Sequence, residues 1–566
     1  MIKVINCKKD IPKNLIILNL SDEYFKQSTY DISLKIQENK KKYTEEYLNS
    51  FDSMKIYPSE QLTYTFSYLS WRSYFIQNSY MDVIYYFIFL DFLNEHRELV
   101  VYIKSNELIK FIQSQKINDV KVIYKNNYRN MIKSFVRPYF YIFKLFYSKI
   151  KYGKTNEKIK NTDVLIYSYV QDRCLLNNNG WNDPFLGDLY NDVVSLGYNV
   201  KRFAPIEPML EYEHDLRDRN SYIISMISYL STIDIFKILF KKVSLKNTIN
   251  NLRNINIAKV DFSLLYKKHL ELFVNSNNSL IRYTFYYLFK KLIKDIKPKI
   301  VIYLYENQPW EKSINKICSD FGVTTIAINH SMISSDMFNL YNSTNISTDF
   351  YPDYLIANGK IEFNILKDMN SYSTLKLIGS KRHIYPKMKL RSRNLKNLKK
   401  IAIVLSGVKN EFLDVIKTIN QNHSELRDFT FYLKPPPGSY YKDIKDIFDT
   451  IKDDIKFNFI FFHGNLDEVF DFCEIIMFIS TTVGIEAYIE NKICLRYIPS
   501  YGYDLDMTES IENGIYQVSN VNFINVINSI DYSKNNDLIK TEDYFKTWDK
   551  NIFNQVLNDI FNKNIK

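Results

Sequence analysis

The sequence predicts an α/β protein built from two Rossmann-like, doubly wound domains that face each other across a cleft, with a mainly helical amino-terminal extension. The 566 residues exceed what one hydrophobic core usually supports, so two or three domains are expected. Short continuous apolar runs recur along the chain with helical patterns between several of them, which is typical of parallel sheets covered on both faces. A polar, basic stretch from Lys387 to Lys400 separates two sets of such runs and is predicted to be a linker.

Residues 1–155 form the predicted extension. Helical patterns dominate it, with short strands such as Asn14 to Leu20 and Leu99 to Lys104. Its first residues lack the apolar run of a signal peptide, and nowhere does the chain carry about 18 uncharged apolar residues in a row. Five scattered cysteines without a C-x-x-C pair favour a reducing compartment. The expected location is therefore the cytoplasm.

Residues 156–386 form the first predicted doubly wound domain, which we expect to lie on the acceptor side of the cleft. It opens with a strand–helix–strand unit: strand Asp163 to Tyr169, a helix from about Asp183 to Leu196, Gly197 as the helix stop, and strand Tyr198 to Phe203. Helical segments fill Leu216 to Leu292. Further strands are predicted at Lys299 to Tyr305, Thr324 to Asn329, Tyr354 to Ala357 and Lys376 to Ile378.

Residues 387–566 form the second predicted domain. Its strands are expected at Ile401 to Leu405, Thr430 to Leu433, Phe457 to Phe461, Ile475 to Phe478 and Ile493 to Tyr497. Two such domains place a cleft between the carboxyl ends of two sheets, which is where ligands bind in folds of this kind.

The segment IIMFISTTVGIEAYIENKICL carries the clearest candidate binding site. A buried strand ends in a turn of small polar residues and opens directly into a helix; the residues concerned are Ser480, Thr481, Thr482, Gly484 and Glu486. Backbone N–H groups at a helix start attract phosphate, and a carboxylate one turn later could accept hydrogen bonds from a ribose. The alternative is that these residues only cap the helix. The segment predicts a nucleotide or nucleotide-sugar site.

Other polar residues follow predicted strands and face the same cleft. Lys434 lies at the tip of its strand and is free to neutralise a phosphate, and Ser380 and Arg382 follow the strand that ends at Ile378. Ser406 follows Leu405. Each residue alone is a weak signal because loops after strands are commonly polar, but their recurrence in one half supports the nucleotide site.

The formal net charge of +12 predicts an anionic partner. No zinc finger, helix-turn-helix or RNP motif indicates nucleic acid, which we exclude as a partner. From residue 133 to 160 the chain carries eight Lys or Arg against one acid and is rich in aromatics, with Lys133, Arg137, Lys144 and Lys151 on one helical stripe. Such a helix suits an anionic membrane surface, which would place the protein at the inner face of the cytoplasmic membrane. A solvated basic face over an aromatic core is the alternative.

Several of these motifs together resemble a known group. The order PDYLIANGKIEFNIL, KLIGSKR, IAIVLSG, LKPP and ISTTVGIEAYIENKI is similar to the carboxyl half of bacterial GT-B glycosyltransferases of capsule, O-antigen and other surface polysaccharide synthesis. The Kdo and sialic acid transferases are the nearest analogues, and the poly(glycerol phosphate) transferases are more distant. ENQPWEKSI and IAINHS resemble elements of uncharacterised enzymes of the same pathways. The resemblance covers about Asp163 to Tyr503.

The resemblance implies a sugar transfer from a nucleotide-activated donor, with a CMP-sugar favoured, to a glycan or lipid-linked glycan acceptor. Two departures from the family pattern are visible. In this chain Pro436 occupies the position of the histidine in the family element Lys-Pro-His-Pro. The loss of that histidine weakens the prediction of a CMP-sugar. The family glycine after the Glu486 helix is Asn491, a milder change because asparagine also adopts the left-handed conformation.

Glycosyl transfer needs a base for the acceptor hydroxyl and positive groups for the departing phosphate. Glu306 is the preferred base because it lies at a strand tip; Glu311 could act or could only cap its helix. His330 follows the next strand and could be a base or a phosphate ligand. Asp172 and Asp183 are lesser candidates.

No cofactor is predicted, and no cluster with metal-ligand spacing predicts a bound metal. The reaction is expected to be metal-independent and inverting. Two alternatives remain open: transfer of a polyol phosphate from a CDP-linked donor, and a non-catalytic module that binds sugar or nucleotide.

Overall fold

The structure is a computed structural model that describes residues 2–6, 16–21, 29–71, 79–123, 136, 139–147, 149–150, 162–169, 174, 183–204, 223–239, 244–382, 398–405, 408–436, 445–446, 448–449, 451, 455–457, 459–500, 504–534, 536 and 541–563. In these ranges the chain forms three parallel β-sheets of four, seven and six strands and one short antiparallel pair. No helix in these ranges is both long enough and apolar enough to span a bilayer.

The amino-terminal region contains a parallel sheet in the spatial order Ile17–Leu20, Leu99–Ile103, Ile2–Ile5 and Val120–Ile123. Its α-helices are Ser33–Asp52, Gln61–Thr65, Tyr68–Trp71, Ser79–Glu95 and Asn106–Ser114, and Pro58–Glu60 is a 3₁₀ turn. Helical residues outnumber strand residues, as predicted. The sheet itself was only half predicted, because four-residue strands such as Ile2–Ile5, with Lys3 among the apolar residues, are too short for periodicity to assign.

The core of this region extends well beyond the extension itself. Helix Ser79–Glu95 is buried on nearly all sides, as its continuous apolar sequence requires. The same core includes side chains from Leu245 to Phe273 and from Phe338 to Tyr351. The extension therefore packs directly against the middle region of the chain.

The middle sheet has seven parallel strands in the order Thr374–Leu377, Tyr354–Ala357, Thr324–Asn329, Ile300–Tyr305, Val164–Tyr167, Val200–Ala204 and Ile223–Ser225. Its α-helices are Leu189–Ser195, Thr232–Leu239, Lys246–Asn251, Ser263–Val274, Asn277–Ile296, Pro309–Asp320 and Lys360–Met369. The 3₁₀ turns are Met226–Tyr229, Phe338–Leu340 and Thr348–Phe350. Strands Asn256–Ile257 and Val260–Asp261 form the short antiparallel pair. The direction of winding reverses between Val164–Tyr167 and Ile300–Tyr305, both of which are buried throughout.

The carboxyl-terminal sheet has six parallel strands in the order Phe459–Phe461, Thr430–Lys434, Lys400–Val404, Ile475–Phe478, Ile493–Tyr497 and Ile515–Val518. Helices Lys409–Gln421, Leu466–Phe472, Val483–Ile489, Phe523–Ser529, Thr541–Tyr544 and Lys550–Lys563 follow or separate its strands. Here the winding reverses between Lys400–Val404 and Ile475–Phe478.

The last helix returns to the middle sheet. Phe553, Leu557 and Ile560 of helix Lys550–Lys563 are buried in one core with Ile166 and Ile302. This crossing explains two glycines at strand ends. A Cβ at Gly379, where φ is +115°, would lie 2.5 Å from the carbonyl oxygen of Lys546, and one at Gly359 would lie 2.3 Å from that of Tyr544.

Two doubly wound parallel sheets with an amino-terminal extension are thus present, and the predicted α/β, GT-B fold class is confirmed. The domain boundaries after residues 155 and 386 stay predictions, and most of the predicted linker, residues 383–397, lies outside the described residues.

Candidate functional site

Glu306 lies directly after a buried strand at the reversal point of the middle sheet. Strand Ile300–Tyr305 is fully buried because both its faces are covered, and its partner Val164–Tyr167 leads to Tyr169. In doubly wound sheets the carboxyl ends of the strands diverge at this point and leave a crevice for ligands. The position predicted for a catalytic carboxylate is therefore the place where this fold offers a binding site.

The Glu306 carboxylate contacts three polar side chains. Its Oε1 lies 3.3 Å from His330 Nε2, and its Oε2 accepts hydrogen bonds of 3.3 Å each from the Tyr169 hydroxyl and the Gln308 amide. Burial acts to raise the pKa of Glu306, but the His330 imidazole and the other hydrogen bonds outweigh it and lower the pKa below its ordinary value. The side chain is still 35% exposed. Glu306 is thus an ionised carboxylate that a substrate can reach.

His330 lies behind this carboxylate. The residue is 4% exposed, and its ring packs edge-on against Phe185 at 5.2 Å between centroids. Among the described residues its Nδ1 atom meets no hydrogen-bond partner. The structure therefore joins Glu306 and His330 into a pair in which the carboxylate is the accessible member.

Glu311 occupies a different position from Glu306. Its Oε1 accepts from the backbone N–H groups of Glu306 and Gln308, both at 3.0 Å, and its Oε2 accepts from that of Asn307 at 2.9 Å. Burial raises the pKa of Glu311 well above its ordinary value, although these amides oppose the effect. Glu311 closes the turn between strand and helix, and Asn307 in that turn has a φ of 53°. A catalytic role for Glu311 stays a prediction.

Arg382 connects this pair to the carboxyl-terminal sheet. Its guanidinium donates a hydrogen bond of 3.2 Å to the carbonyl oxygen of His330. Burial raises the pKa of Glu486 from 4.5 to about 7, and the charge of Arg382 is the largest effect that opposes it. Arg382 therefore contacts the backbone of the predicted catalytic pair, and its charge acts on the predicted ribose ligand.

Ser380 shapes the loop that carries Arg382. Its hydroxyl accepts from the backbone N–H of Arg382 at 3.2 Å, and its own N–H donates to the carbonyl of Lys546 at 2.9 Å. Ser380 is 3% exposed. Contact between Ser380 and a nucleotide stays a prediction.

The turn Ser480 to Thr482 lies at the reversal point of the carboxyl-terminal sheet. Its backbone already closes the start of helix Val483–Ile489: the Gly484 N–H donates to the Thr481 carbonyl at 3.3 Å, and the Val483 N–H to the Thr481 hydroxyl at 3.4 Å. The Ser480 hydroxyl is buried, and no described residue is its hydrogen-bond partner. The predicted phosphate site is thus placed at the expected reversal point, with one polar atom that the described chain does not satisfy.

Gly484 is required for packing. A Cβ there would lie 2.4 Å from the Phe478 ring. The two halves meet nearby, because Met332, two residues after His330, shares a buried core with Phe478 and Ile485.

Lys434 is the last residue of its strand, one strand away from the reversal point. Burial lowers the pKa of Lys434, and the charge of Glu468 opposes this effect. Ser406 lies outside the described residues, as does Asp172. Asp183 is 4% exposed and accepts backbone hydrogen bonds from Phe185 and Leu186, which is the pattern of a loop cap.

Sequence reasoning did not identify Tyr169, Gln308 or Phe185. The chain contains 46 tyrosines, so a single tyrosine after a strand carried little information. Phe185 contacts both His330 and the Arg382 guanidinium, but nothing in its local pattern separates it from a core residue. Within the described ranges no group of three or more His, Cys, Asp or Glu side chains is arranged to bind a metal ion.

No family model matches this chain, and no curated protein matches it. Solved structures that are similar include the glycotransferase of kitacinnamycin, at 8% identity and a TM-score of 0.36 over 66% of this chain and 92% of that one. The UDP-GlcNAc 2-epimerase of Methanocaldococcus jannaschii matches at 11% identity and a TM-score of 0.41 over 71% and 99% of the two chains. A pneumococcal O-GlcNAc transferase matches at 13% identity and 0.28 over 44% and 52%. These likenesses are too remote to assign a function.

Proposed function

We propose that this chain is a glycosyltransferase that moves a sugar, Kdo-like or sialic-acid-like, from a nucleotide-activated donor to a surface-glycan acceptor. The observation that carries the proposal is the Glu306–His330 pair, with the Arg382 guanidinium hydrogen-bonded to the His330 carbonyl and its charge acting on Glu486. These residues follow strands near the reversal points of two sheets, where such folds bind ligands.

In the proposed reaction Glu306 accepts the proton of an acceptor hydroxyl. The oxygen then forms a bond to the anomeric carbon of the donor from the face opposite the phosphate, so the configuration is inverted. The bond from that carbon to the phosphate oxygen breaks, and the nucleotide leaves with the electron pair. Arg382 and Lys434 are the positive groups proposed to stabilise its charge without a metal ion, and Ser480 and the turn after it bind the phosphate.

His330 is proposed as a positioning residue. It is buried and donates towards the Glu306 carboxylate, which keeps that carboxylate ionised at neutral pH. His330→Ala is therefore expected to lower the turnover number and to move its acid limb to higher pH, with little change in donor affinity.

The donor and acceptor are proposed from the family resemblance. A CMP-sugar is the favoured donor, and a glycan or lipid-linked glycan is the acceptor. A thermal-shift screen with CMP, CDP, UDP and GDP tests the nucleotide, and we expect CMP to raise the melting temperature most.

Transfer assays with the sugar donors of the stabilising nucleotide then test the reaction. Release of nucleotide together with a glycosylated product supports the proposal. Nucleotide binding without turnover of any donor indicates a non-catalytic module and overturns it. A product that carries a polyol phosphate indicates the CDP-linked alternative.

A further inference from the structure

A helical stretch on the surface of the middle region exposes large apolar side chains. Residues 139–147 and 149–150 are helical, and six of their side chains have exposed fractions between 39% and 72%. They are Tyr139, Phe140, Phe143, Phe146, Tyr147 and Ile150, and we call them the apolar face. Large hydrophobic side chains that cluster on a surface mark an interaction site more often than single ones do.

The apolar face occupies one side of its helix. At about 100° per residue the six side chains lie within an arc of about 120°. Tyr141 and Leu145 lie on the opposite side, at 7% and 0% exposure, and are buried in the core of the middle sheet. The helix is thus fixed by one side to the protein and presents an almost wholly aromatic side to its surroundings.

A neighbouring helix widens this surface. Ile235 and Ile238 of helix Thr232–Leu239 are buried in the same core as Tyr141 and Leu145. On the outer side of that helix Ile233 and Phe236 are 66% and 56% exposed.

Charge decides which partner suits the apolar face. The stretch from residue 133 to 160 carries eight Lys or Arg and one acid, and Lys144 beside the apolar face is exposed. A second copy would bring one basic stretch against another, so self-association is disfavoured. Aromatic side chains flanked by basic ones are typical of helices that lie in the headgroup layer of anionic membranes.

We propose that the apolar face inserts into the headgroup layer of an anionic lipid bilayer and, with Lys144 and Lys149 of the same helix, binds the protein to it. The proposal is independent of the proposed reaction, because it concerns the surface and not the crevice at Glu306. It sharpens the sequence prediction, which rested on the basic stripe Lys133, Arg137, Lys144 and Lys151 in an aromatic segment. Of that stripe only Lys144 lies within the described residues.

Sedimentation with vesicles tests the proposal. The full chain is mixed with vesicles of phosphatidylcholine alone or with about one third phosphatidylglycerol. The test variant is Phe140→Ser/Phe143→Ser/Ile150→Ser. The matched control is Leu34→Ser/Val521→Ser, because these two side chains are 75% and 76% exposed and lie outside the apolar face. We expect the parent and the control to bind the anionic vesicles equally and the triple variant to bind at least tenfold more weakly.

Insertion is measured separately from binding. Phe143→Trp should be quenched by lipids brominated in the upper acyl chain, whereas Val521→Trp should not. Equal binding by the triple variant and the parent overturns the proposal, as does a parent that never binds anionic vesicles at low salt. A third outcome also overturns the proposal: the parent is dimeric by ultracentrifugation, the triple variant is monomeric, and neither binds vesicles. The apolar face would then bind a second copy of the chain.

Discussion

The two reversal points of this molecule differ in how the chain satisfies its own polar groups. At the middle sheet Glu306 contacts three polar side chains, and Glu311 accepts hydrogen bonds from three backbone amides. At the carboxyl-terminal sheet the Ser480 hydroxyl is buried without a partner among the described residues. At the first site both carboxylates have partners within the described chain, although His330 Nδ1 has none, whereas at the second the Ser480 hydroxyl has none and is the group we propose for a ligand.

This difference is the one expected when one domain supplies the base and the other binds the donor. A base needs a fixed geometry before the substrate arrives, since catalysis gains from preorganised groups. A binding site needs unpaired groups, because a satisfied hydroxyl gains little from a new partner. Mutations at the first site should therefore affect rate or stability, and those at the second should affect affinity.

The largest effect is expected at Glu306. Glu306→Gln keeps the shape of the side chain but removes the base, so the turnover number should fall by about 10² to 10⁴-fold. The dissociation constant of the donor nucleotide should change by less than about twofold, because the base acts on the transition state. Steady-state transfer assays and calorimetry measure the two quantities.

Glu425→Gln is the matched control, because Glu425 is exposed in the carboxyl-terminal domain. It should behave as the parent does in both assays. If Glu306→Gln keeps full turnover, the base lies elsewhere and the middle-sheet assignment is wrong.

Glu311 should affect stability. Glu311→Ala leaves three backbone N–H groups without their acceptor, one of them buried and two partly buried, and we expect a loss of about 3 kcal/mol in the free energy of unfolding. Glu311→Gln should lose less, because burial already favours the neutral form and the amide oxygen still accepts. Urea unfolding followed by circular dichroism measures both. Unchanged stability with abolished turnover would instead support the catalytic role predicted for Glu311.

The sequence predicted much of this arrangement because buried parallel strands leave a plain signature. Runs such as Ile300–Tyr305 are apolar at every position, and the residue after each run must lie at the carboxyl edge of a sheet. Glu306 was predicted in this way, and Arg382 and Glu486 were predicted from the loop and the helix that follow such runs. The prediction that Asn491 replaces a left-handed glycine is confirmed, since its φ is 61°.

The remainder depends on contacts between segments distant in the chain. Tyr169 reaches Glu306 across 137 positions, and no local pattern encodes that hydrogen bond. Helix Lys550–Lys563 is amphipathic, but its sequence does not state which sheet it covers. The exposed side of residues 139–147 is also set by tertiary packing, because Tyr141 and Leu145 are the residues that enter the core. The sequence therefore indicated a basic stripe and did not reveal the exposed apolar face.

Glu486 should affect nucleotide affinity with a characteristic pH dependence. An ionised carboxylate that accepts a hydrogen bond contributes about 1.5 to 3 kcal/mol, so Glu486→Gln should weaken binding by about tenfold or more at pH 8. Because the pKa is raised to about 7, affinity in the parent should rise with pH through that value. Calorimetric titrations with CMP between pH 6 and 8 measure both trends.

The stability of the parent should change in the opposite direction. The folded Glu486 carboxyl retains its proton up to about pH 7, whereas the unfolded one loses it near 4.5. Glu486 should therefore contribute a fall in the unfolding free energy as pH rises from 4.5 to 7, and Glu486→Gln should make the total fall smaller by removing that contribution. An affinity that is independent of pH and of this substitution would exclude Glu486 from the site.

The smallest effect, and the sharpest test of the difference between the two sites, is expected at Ser480. Ser480→Ala removes a buried hydroxyl without a described partner, so the free energy of unfolding should stay the same or rise slightly. If the hydroxyl binds the donor phosphate, the same substitution should weaken nucleotide binding by about 0.5 to 1.5 kcal/mol. Ser195→Ala is a suitable control, since the Ser195 hydroxyl donates to the Asp192 carbonyl at the end of a helix and away from both reversal points. A loss of stability in Ser480→Ala with unchanged affinity would mean that the turn is only structural, and the two reversal points would then not divide catalysis and binding between them.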